Sequence, residues 1–370
     1  METKEPTVST DQLSTWLENK ENVIVLDVRP KEQREEWKIP GSIYIDAYKR
    51  LNENDPSVLD EVDIPADATV VTVCAAGRTS NIAANELRKK GIDAYSLDGG
   101  MKAWSMAWNK AEMILHNDIE LIQLRRTGKG CLSYIISSNG LALVIDPSLD
   151  IEDYESILKE KKLQLKYVLE THIHADHLSR ARLLSEQNNA ELFLPEKSKV
   201  HFPFTALKDG DFLTLADINL KVLYTPGHTL DSSCFLINEK ALITGDTLFT
   251  NGVGRPDLKA DYDRTKEKGK LLYHSLQKIM TLNDNVIVLP AHTSQPVEFD
   301  NKIVAASLGE IKNSVAILKL DEETFVTHLI QRIPPTPPNY LIITEKNLEG
   351  DFKDVNPIEL EAGANRCAVS

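Results

Sequence analysis

The segment Thr171-His172-Ile173-His174-Ala175-Asp176-His177 gathers four residues of metal-ligand type within six positions. Imidazole and carboxylate suit a divalent transition metal, and this density can serve one ion or two. A strand-like run, 165–170, precedes it. In extended chain, residues two apart point the same way, so His172 and His174 can converge on one point. The helical-looking run 178–187 follows and leaves Asp176 and His177 in the turn between. Three later motifs carry the same kind of residue: Thr225-Pro226-Gly227-His228-Thr229, Thr244-Gly245-Asp246-Thr247 and Pro290-Ala291-His292. Each follows a strand-like run with a small residue alongside, the pattern of loops gathered on one edge of a sheet scaffold. A lone His or Asp at a strand end is structural more often than not. Here five of the nine histidines fall in such motifs, which argues against a merely polar surface.

A second chemistry lies upstream. Cys74-Ala75-Ala76-Gly77-Arg78-Thr79-Ser80 follows a strand and precedes a helix. Backbone N–H groups and the helix N-terminus there favour an anion, and Arg78 adds positive charge. Both stabilise a thiolate or a persulfide on Cys74. The plainer alternative is a small buried hydrophobe, the usual fate of free cysteine.

Two or three domains are expected from 370 residues, and 42% hydrophobic with 26% charged residues is ordinary for a globular protein with real cores. The net charge of −14 argues against general nucleic-acid binding, while leaving room for a local positive pocket for a small anion. The four cysteines (Cys74, Cys131, Cys234, Cys367) are scattered and form no CxxC pair, which fits a reducing compartment. Met1 to Pro6 lacks a basic segment followed by an apolar one, and no apolar run reaches spanning length, so a cytoplasmic location is expected.

The elements that must position these residues fall into two patterns. Up to about residue 110, strand-like runs at 23–28, 69–73 and 93–97 alternate with a helix over 80–90 ending at Gly91, which predicts a small parallel α/β domain. From about 111, strands are expected at 119–124, 131–136, 141–145, 192–194, 219–224, 234–237, 241–243 and 286–289. Helices are expected at 154–162, 265–280 and 301–318. Pro334-Pro335-Thr336-Pro337-Pro338 predicts a stiff extended strap over the preceding domain, or a semi-ordered end. Three domains are expected: 1–110, 111–307, and an extension over 308–370 packing on the second.

The motifs from 111 to 307 resemble the metallo-β-lactamase superfamily, whose fold is an αβ/βα sandwich. In its dinuclear members the matching positions hold one metal with His172, His174 and His228 and another with Asp176, His177 and His292, with Asp246 bridging. The stretch Thr247-Leu248-Phe249 to Gly252-Val253-Gly254-Arg255-Pro256-Asp257 resembles persulfide dioxygenases. That resemblance implies a single Fe(II) on His172, His228 and Asp246, a facial triad with open positions where a persulfide sulfur and O2 meet. His174, Asp176, His177 and His292 then become orienting groups around the ligands. Arg255 is expected either to contact substrate or to pair with an acid such as Asp257. In place of the glutathione-dependent mitochondrial pattern, His228 is followed by Thr229-Leu230-Asp231-Ser232, which leaves the thiol carrier open.

Residues 8–110 resemble rhodanese domains through Leu26-Asp27-Val28-Arg29-Pro30, Ile39-Pro40-Gly41-Ser42-Ile43 and Leu97-Asp98-Gly99-Gly100-Met101-Lys102-Ala103-Trp104. The resemblance implies a sulfurtransferase in which Cys74 accepts sulfane sulfur and the amides of Ala75 to Ser80 cradle it. Asp27 and Arg29 are expected to support the scaffold, and Trp104 and Trp108 to be core aromatics. Cys131, Cys234 and Cys367 are expected to be buried or incidental thiols without charged activators, and His116, His201, His274 and His328 ordinary histidines. No role is evident for the tail 361–367.

The leading expectation is therefore a bifunctional sulfur-metabolism enzyme. It would oxidise a low-molecular-weight persulfide, of glutathione or a similar thiol, to sulfite with O2 at one Fe(II), and transfer sulfane sulfur among persulfide, sulfite and thiosulfate through Cys74. One alternative is a glyoxalase II-type thioester hydrolase with two Zn; another is a non-catalytic sulfur carrier or sensor. A homodimer is a family-level expectation, and no nucleic-acid or membrane partner is expected.

Overall fold

A computed structural model describes residues 6–65, 67–116 and 118–369; the segment Met1 to Glu5 lies outside them. The first unit is a five-stranded, wholly parallel sheet. Its order is Thr7–Val8, Ala94–Leu97, Thr69–Val73, Val23–Asp27, Ile43–Tyr44. Parallel strands covered on both faces need continuous apolar runs. Val23–Asp27 and Thr69–Val73 supply them, with Leu26, Val70, Ala83 and Leu87 packed on one side and Leu13, Val25, Val71 and Trp104 on the other. Helix Arg78–Lys89 keeps its buried residues on one face. Asp27 is buried with Arg29 at 2.7 Å and Arg34 at 3.1 Å, and Arg29 also bonds the Trp37 carbonyl. Deleting one partner of so buried a pair costs about 3–5 kcal/mol, which makes these residues scaffold. Trp104 is fully buried and Trp108 half-buried.

The second unit is a sandwich of two mixed sheets. One has seven strands in the order Thr205–Leu207, Glu191–Pro195, Gln164–Leu169, Leu141–Ile145, Leu132–Ser138, Ile119–Arg125, Asn109–His116. The other has six: Phe212–Leu215, Ile218–Tyr224, Ser233–Ile237, Ala241–Gly245, Ile287–Pro290, Ala306–Ser307. Alternating inward residues such as Leu121, Tyr134, Ile145, Val222, Phe235 and Ile243 interleave in the core between them. Helices Ile151–Glu160 and Ala181–Asn188 cover the first sheet, and Tyr262–Met280, Leu308–Ser314 and Glu322–Gln331 cover the second. The fold is thus mixed α/β, a parallel-sheet domain followed by an αβ/βα sandwich. Among the described residues no helix is long and apolar enough to cross a membrane.

The structure corrects the helix expected over 301–318. Ala306–Ser307 pairs with Ile287–Pro290, and a capping box of Ser307 with Glu310 starts a shorter helix, Leu308–Ser314. The tail returns across the sandwich: Arg255 donates to the carbonyls of Pro335 and Arg366, and Ala368–Val369 pairs with Val253–Gly254. Buried Glu361 binds Arg126, Arg180 at 2.8 Å and the Leu178 amide at 3.1 Å.

Candidate metal centre and cysteine loop

The strands Gln164–Leu169, Ile218–Tyr224, Ala241–Gly245 and Ile287–Pro290 end at one edge of the sandwich, and His172, His228, Asp246 and His292 follow them. Gly245 sits at φ +52°, where a Cβ would lie 2.6 Å from Thr171 Oγ1, so the turn that aims Asp246 needs glycine. All seven candidate residues are buried.

Donor atoms of His172, His228 and Asp246 lie within 4.8 Å of one another. Second partners fix their tautomers. The Arg255 carbonyl can only accept, so His228 Nδ1–H donates to it at 2.8 Å and leaves the Nε2 lone pair facing Asp246 Oδ2 at 3.4 Å. Thr171 Oγ1 donates to Asp146 at 2.8 Å and accepts from His172 Nδ1 at 2.9 Å, so His172 Nε2 is also a lone pair, 3.9 Å from Asp246 Oδ2. Burial, first of all, pushes both imidazoles below their ordinary pKa. Burial alone would raise the Asp246 carboxyl, but His292, His228 and His172 hold it well below the carboxylate range. His292 bonds Asp246 Oδ1, and Oδ2 is buried without a hydrogen-bond partner. Two neutral imidazoles and one carboxylate oxygen, all unprotonated and converging, suit a divalent cation.

The other four residues are arranged differently. His174 Nε2 lies 3.0 Å from Glu170 and 3.3 Å from Asp146. Burial disfavours its charge, yet these acids raise it well above its ordinary pKa. It groups with them rather than with the first three donors. His292 stands between Asp246 and Asp176, its Nε2 at 2.8 Å from Asp176, and the two carboxylates overcome burial to keep it charged. His177 Nδ1 meets Asp176 at 3.1 Å, and its buried Nε2 has no hydrogen-bond partner.

Cys131 and Cys367 are buried, as expected, but the expectation that they lack charged neighbours needs correction. Cys131 donates to Asp176 Oδ2 at 3.1 Å and forms a second donor group with Asp176, His177 and His292. Burial and Asp176 oppose its ionisation, but His177 and His292 prevail and bring the thiol down to about 7. Cys367 has its sulfur within 4.8 Å of donors on Asp246 and His292, and burial together with Asp246 raises its pKa. Their neighbours lie tens to hundreds of residues away in sequence, so neither strand pattern nor spacing flags them. Cys234 does sit in the core, its thiol pushed up to about 11 by burial. Arg255 is fully buried, with its guanidinium on Asp257 at 2.7 and 2.8 Å and on two tail carbonyls. It braces the tail beneath His228.

Cys74 ends the strand Thr69–Val73 beneath the N-terminus of helix Arg78–Lys89. Its Sγ accepts from the Gly77 amide and the Ser80 hydroxyl, each at 3.2 Å. Thr79 and Ser80 are buried, while Ala75, Ala76 and Arg78 are exposed at the rim. Gly100 underlies the loop, since a Cβ there would be 2.4 Å from the Cys74 carbonyl. The amides of Met101 and Lys102 bond the carbonyls of Cys74 and Ala75 at 2.8 and 3.0 Å.

Fold and sites define a rhodanese-like domain joined to a metallo-β-lactamase domain, a fold that binds metal ions. Family comparison gives the same division: the metallo-beta-lactamase superfamily matches residues 126–292 and the rhodanese-like domain residues 9–107. A hydroxyacylglutathione hydrolase of Francisella tularensis subsp. novicida (strain U112) is 37% identical over 162 residues, 43% of this chain and 61% of that protein. The chain thus spans about 61% of the length of the curated relatives it matches. A metallo-beta-lactamase from Staphylococcus aureus subsp. aureus COL superposes with TM-score 0.58 at 26% identity, over 65% of this chain and 76% of that one. ETHE1 from Myxococcus xanthus superposes with TM-score 0.54 at 26% identity, over 61% of this chain and 96% of that one.

Proposed function

We propose that this chain oxidises a low-molecular-weight thiol persulfide with O2 and transfers sulfane sulfur through Cys74. The observation that carries the reading is the three-donor set. His172, His228 and Asp246 converge with their lone pairs preset, while the donor atom of His174 groups with Glu170 and Asp146 instead. His172, His228 and Asp246 would hold Fe(II), which when bound would supply the redox chemistry for joining persulfide sulfur to O2. Arg255 and Thr171 keep the two imidazoles in the binding tautomer, and His292 occupies one oxygen of Asp246 so that the other is presented. The overall reaction balances as one persulfide, one O2 and one water giving one thiol, sulfite and two protons. The likeness to ETHE1 and the Gly-Arg-x-Asp stretch at Gly254 to Asp257 support this reading.

At the other site the Cys74 thiolate attacks the sulfane sulfur of thiosulfate. The S–S bond breaks with its electron pair on departing sulfite, and a Cys74 persulfide remains. The Gly77 amide and Ser80 hydroxyl hold the negative sulfur. Sulfite is thus a product of one domain and a substrate or product of the other.

A second reading is a dizinc thioester hydrolase of the glyoxalase II type. It is favoured by the hydroxyacylglutathione hydrolase relative and by the second donor group of Cys131, Asp176, His177 and His292. The deciding experiment is anaerobic purification, metal analysis and O2 uptake on glutathione persulfide. Iron with persulfide-dependent uptake supports the first reading. Zinc, no uptake and S-lactoylglutathione cleavage would establish the second.

A further inference from the structure

A cavity of about 370 Å³ opens onto His228 and Thr229. Lys197, Lys199, Lys259, Arg264 and Lys268 line it, against one acid, Asp231. That acid is already engaged: its Oδ2 accepts from the Ile173 amide at 3.1 Å and the Ser198 hydroxyl at 2.8 Å. Five cations around one opening stand out in a chain of net charge −14. Lys197 and Arg264 have exposed glutamate neighbours, Glu196 at 3.9 Å and Glu267 at 2.8 Å. Among the described residues Lys199, Lys259 and Lys268 have no carboxylate within 4.0 Å.

Lys268 is the most informative of the five. It lies on helix Tyr262–Met280 at 6% exposure, and among the described residues its ammonium bonds only the Leu258 carbonyl, at 3.3 Å. The nearby Asp257 is held by Arg255. Asp257 and Asp231 attract this ammonium only from beyond 4.0 Å; a buried ammonium with no carboxylate in contact is costly, and an anion entering the cavity would supply a direct partner. Leu230, Tyr340 and Leu348 give another part of the wall an apolar surface for an uncharged stem.

We propose that this cavity selects the carrier part of the thiol substrate by its anionic groups, with Lys268 as the anchor. The substrate class is then a thiol bearing two or more carboxylates or phosphates, its sulfur directed at His172, His228 and Asp246. The assignment rests on the reading that the metal centre acts on a small thiol derivative.

The test uses the metal-loaded full chain in two arms. Calorimetric binding of plain glutathione, coenzyme A and 2-mercaptoethanol needs no turnover. The two anionic thiols should bind, with affinity falling as salt is raised, and 2-mercaptoethanol should not. Lys268→Met and the exposed-site double variant Lys199→Glu/Lys259→Glu should each weaken the anionic thiols by about tenfold or more. Carboxylate recognition would show as tighter glutathione and phosphate recognition as tighter coenzyme A. In the second arm, the ratio of kcat/KM for the anionic persulfide to that for 2-mercaptoethanol persulfide should fall about tenfold in both variants. Equal binding of charged and neutral thiols, or an unchanged ratio, overturns the inference. No O2 uptake on any persulfide, with charge-dependent binding intact, would instead refute the proposed oxidation and leave the pocket standing.

Discussion

Glu361 ties the C-terminal tail to the metal domain, and replacing it with glutamine should be expensive at neutral pH and progressively cheaper in acid. Its carboxylate is fully buried between Arg126 and Arg180 and accepts from the Leu178 amide, next to His177. Burial alone would raise its pKa, but Arg180 and Arg126 prevail and depress it from 4.5 to about 2. At about 1.4 kcal/mol per unit, the ionised form contributes about 3 kcal/mol to folding. A folded pKa below the unfolded one means that this contribution is complete above about pH 4.5 and fades as pH falls toward 2. Glu361→Gln keeps the shape but leaves two buried guanidinium groups without a counter-charge, a loss of about 3–5 kcal/mol. At roughly 2–4 °C per kcal/mol for a domain of this size, the variant should melt about 6–20 °C below wild type at pH 7. Thermal unfolding of both proteins from pH 7 to pH 3 should show the gap narrowing below pH 5. A gap under about 1 °C at pH 7, or one that stays constant into acid, would refute the reasoning.

Three further outcomes follow from the contacts. Cys74→Ser should abolish thiosulfate sulfurtransfer while leaving O2 uptake on added persulfide largely intact; loss of both activities would show that the two sites are not separable. Gly100→Ala places a methyl against the Cys74 carbonyl, so sulfurtransfer should fall and the first domain should lose about 1–3 kcal/mol in denaturant unfolding, with O2 uptake retained. Arg255→Met should lower the melting temperature by an amount matching about 3 kcal/mol and leave KM for the persulfide nearly unchanged, because the guanidinium holds Asp257 and the tail. A large KM effect with normal stability would return Arg255 to the substrate.

Much of this was legible in sequence because its signals are local. Strand-end motifs around His172, His228, Asp246 and His292 announce themselves by residue type and a preceding apolar run. The Cys74 loop does so by its place between a strand and a helix. What sequence does not reveal is pairing at a distance. Cys131 reaches Asp176 across 45 residues, and Glu361 reaches Arg126 across 235. The tail 361–367 acquires a role only when it is seen lying against Asp246 and His292. His174, whose spacing matches His172, has its Nε2 3.0 Å from Glu170 and 3.3 Å from Asp146, a proximity that spacing does not reveal. Within 301–318, Ser307 followed by Glu310 is a local N-terminal signature that marks where the helix begins.

The division of labour among the seven ligand-type residues is tested most directly by metal content per chain in anaerobically prepared wild type, Asp246→Asn and His177→Ala. The account predicts one iron per chain in wild type, its loss in Asp246→Asn, and its retention in His177→Ala. Two zinc ions per wild-type chain, with one lost on replacing His177, would contradict it.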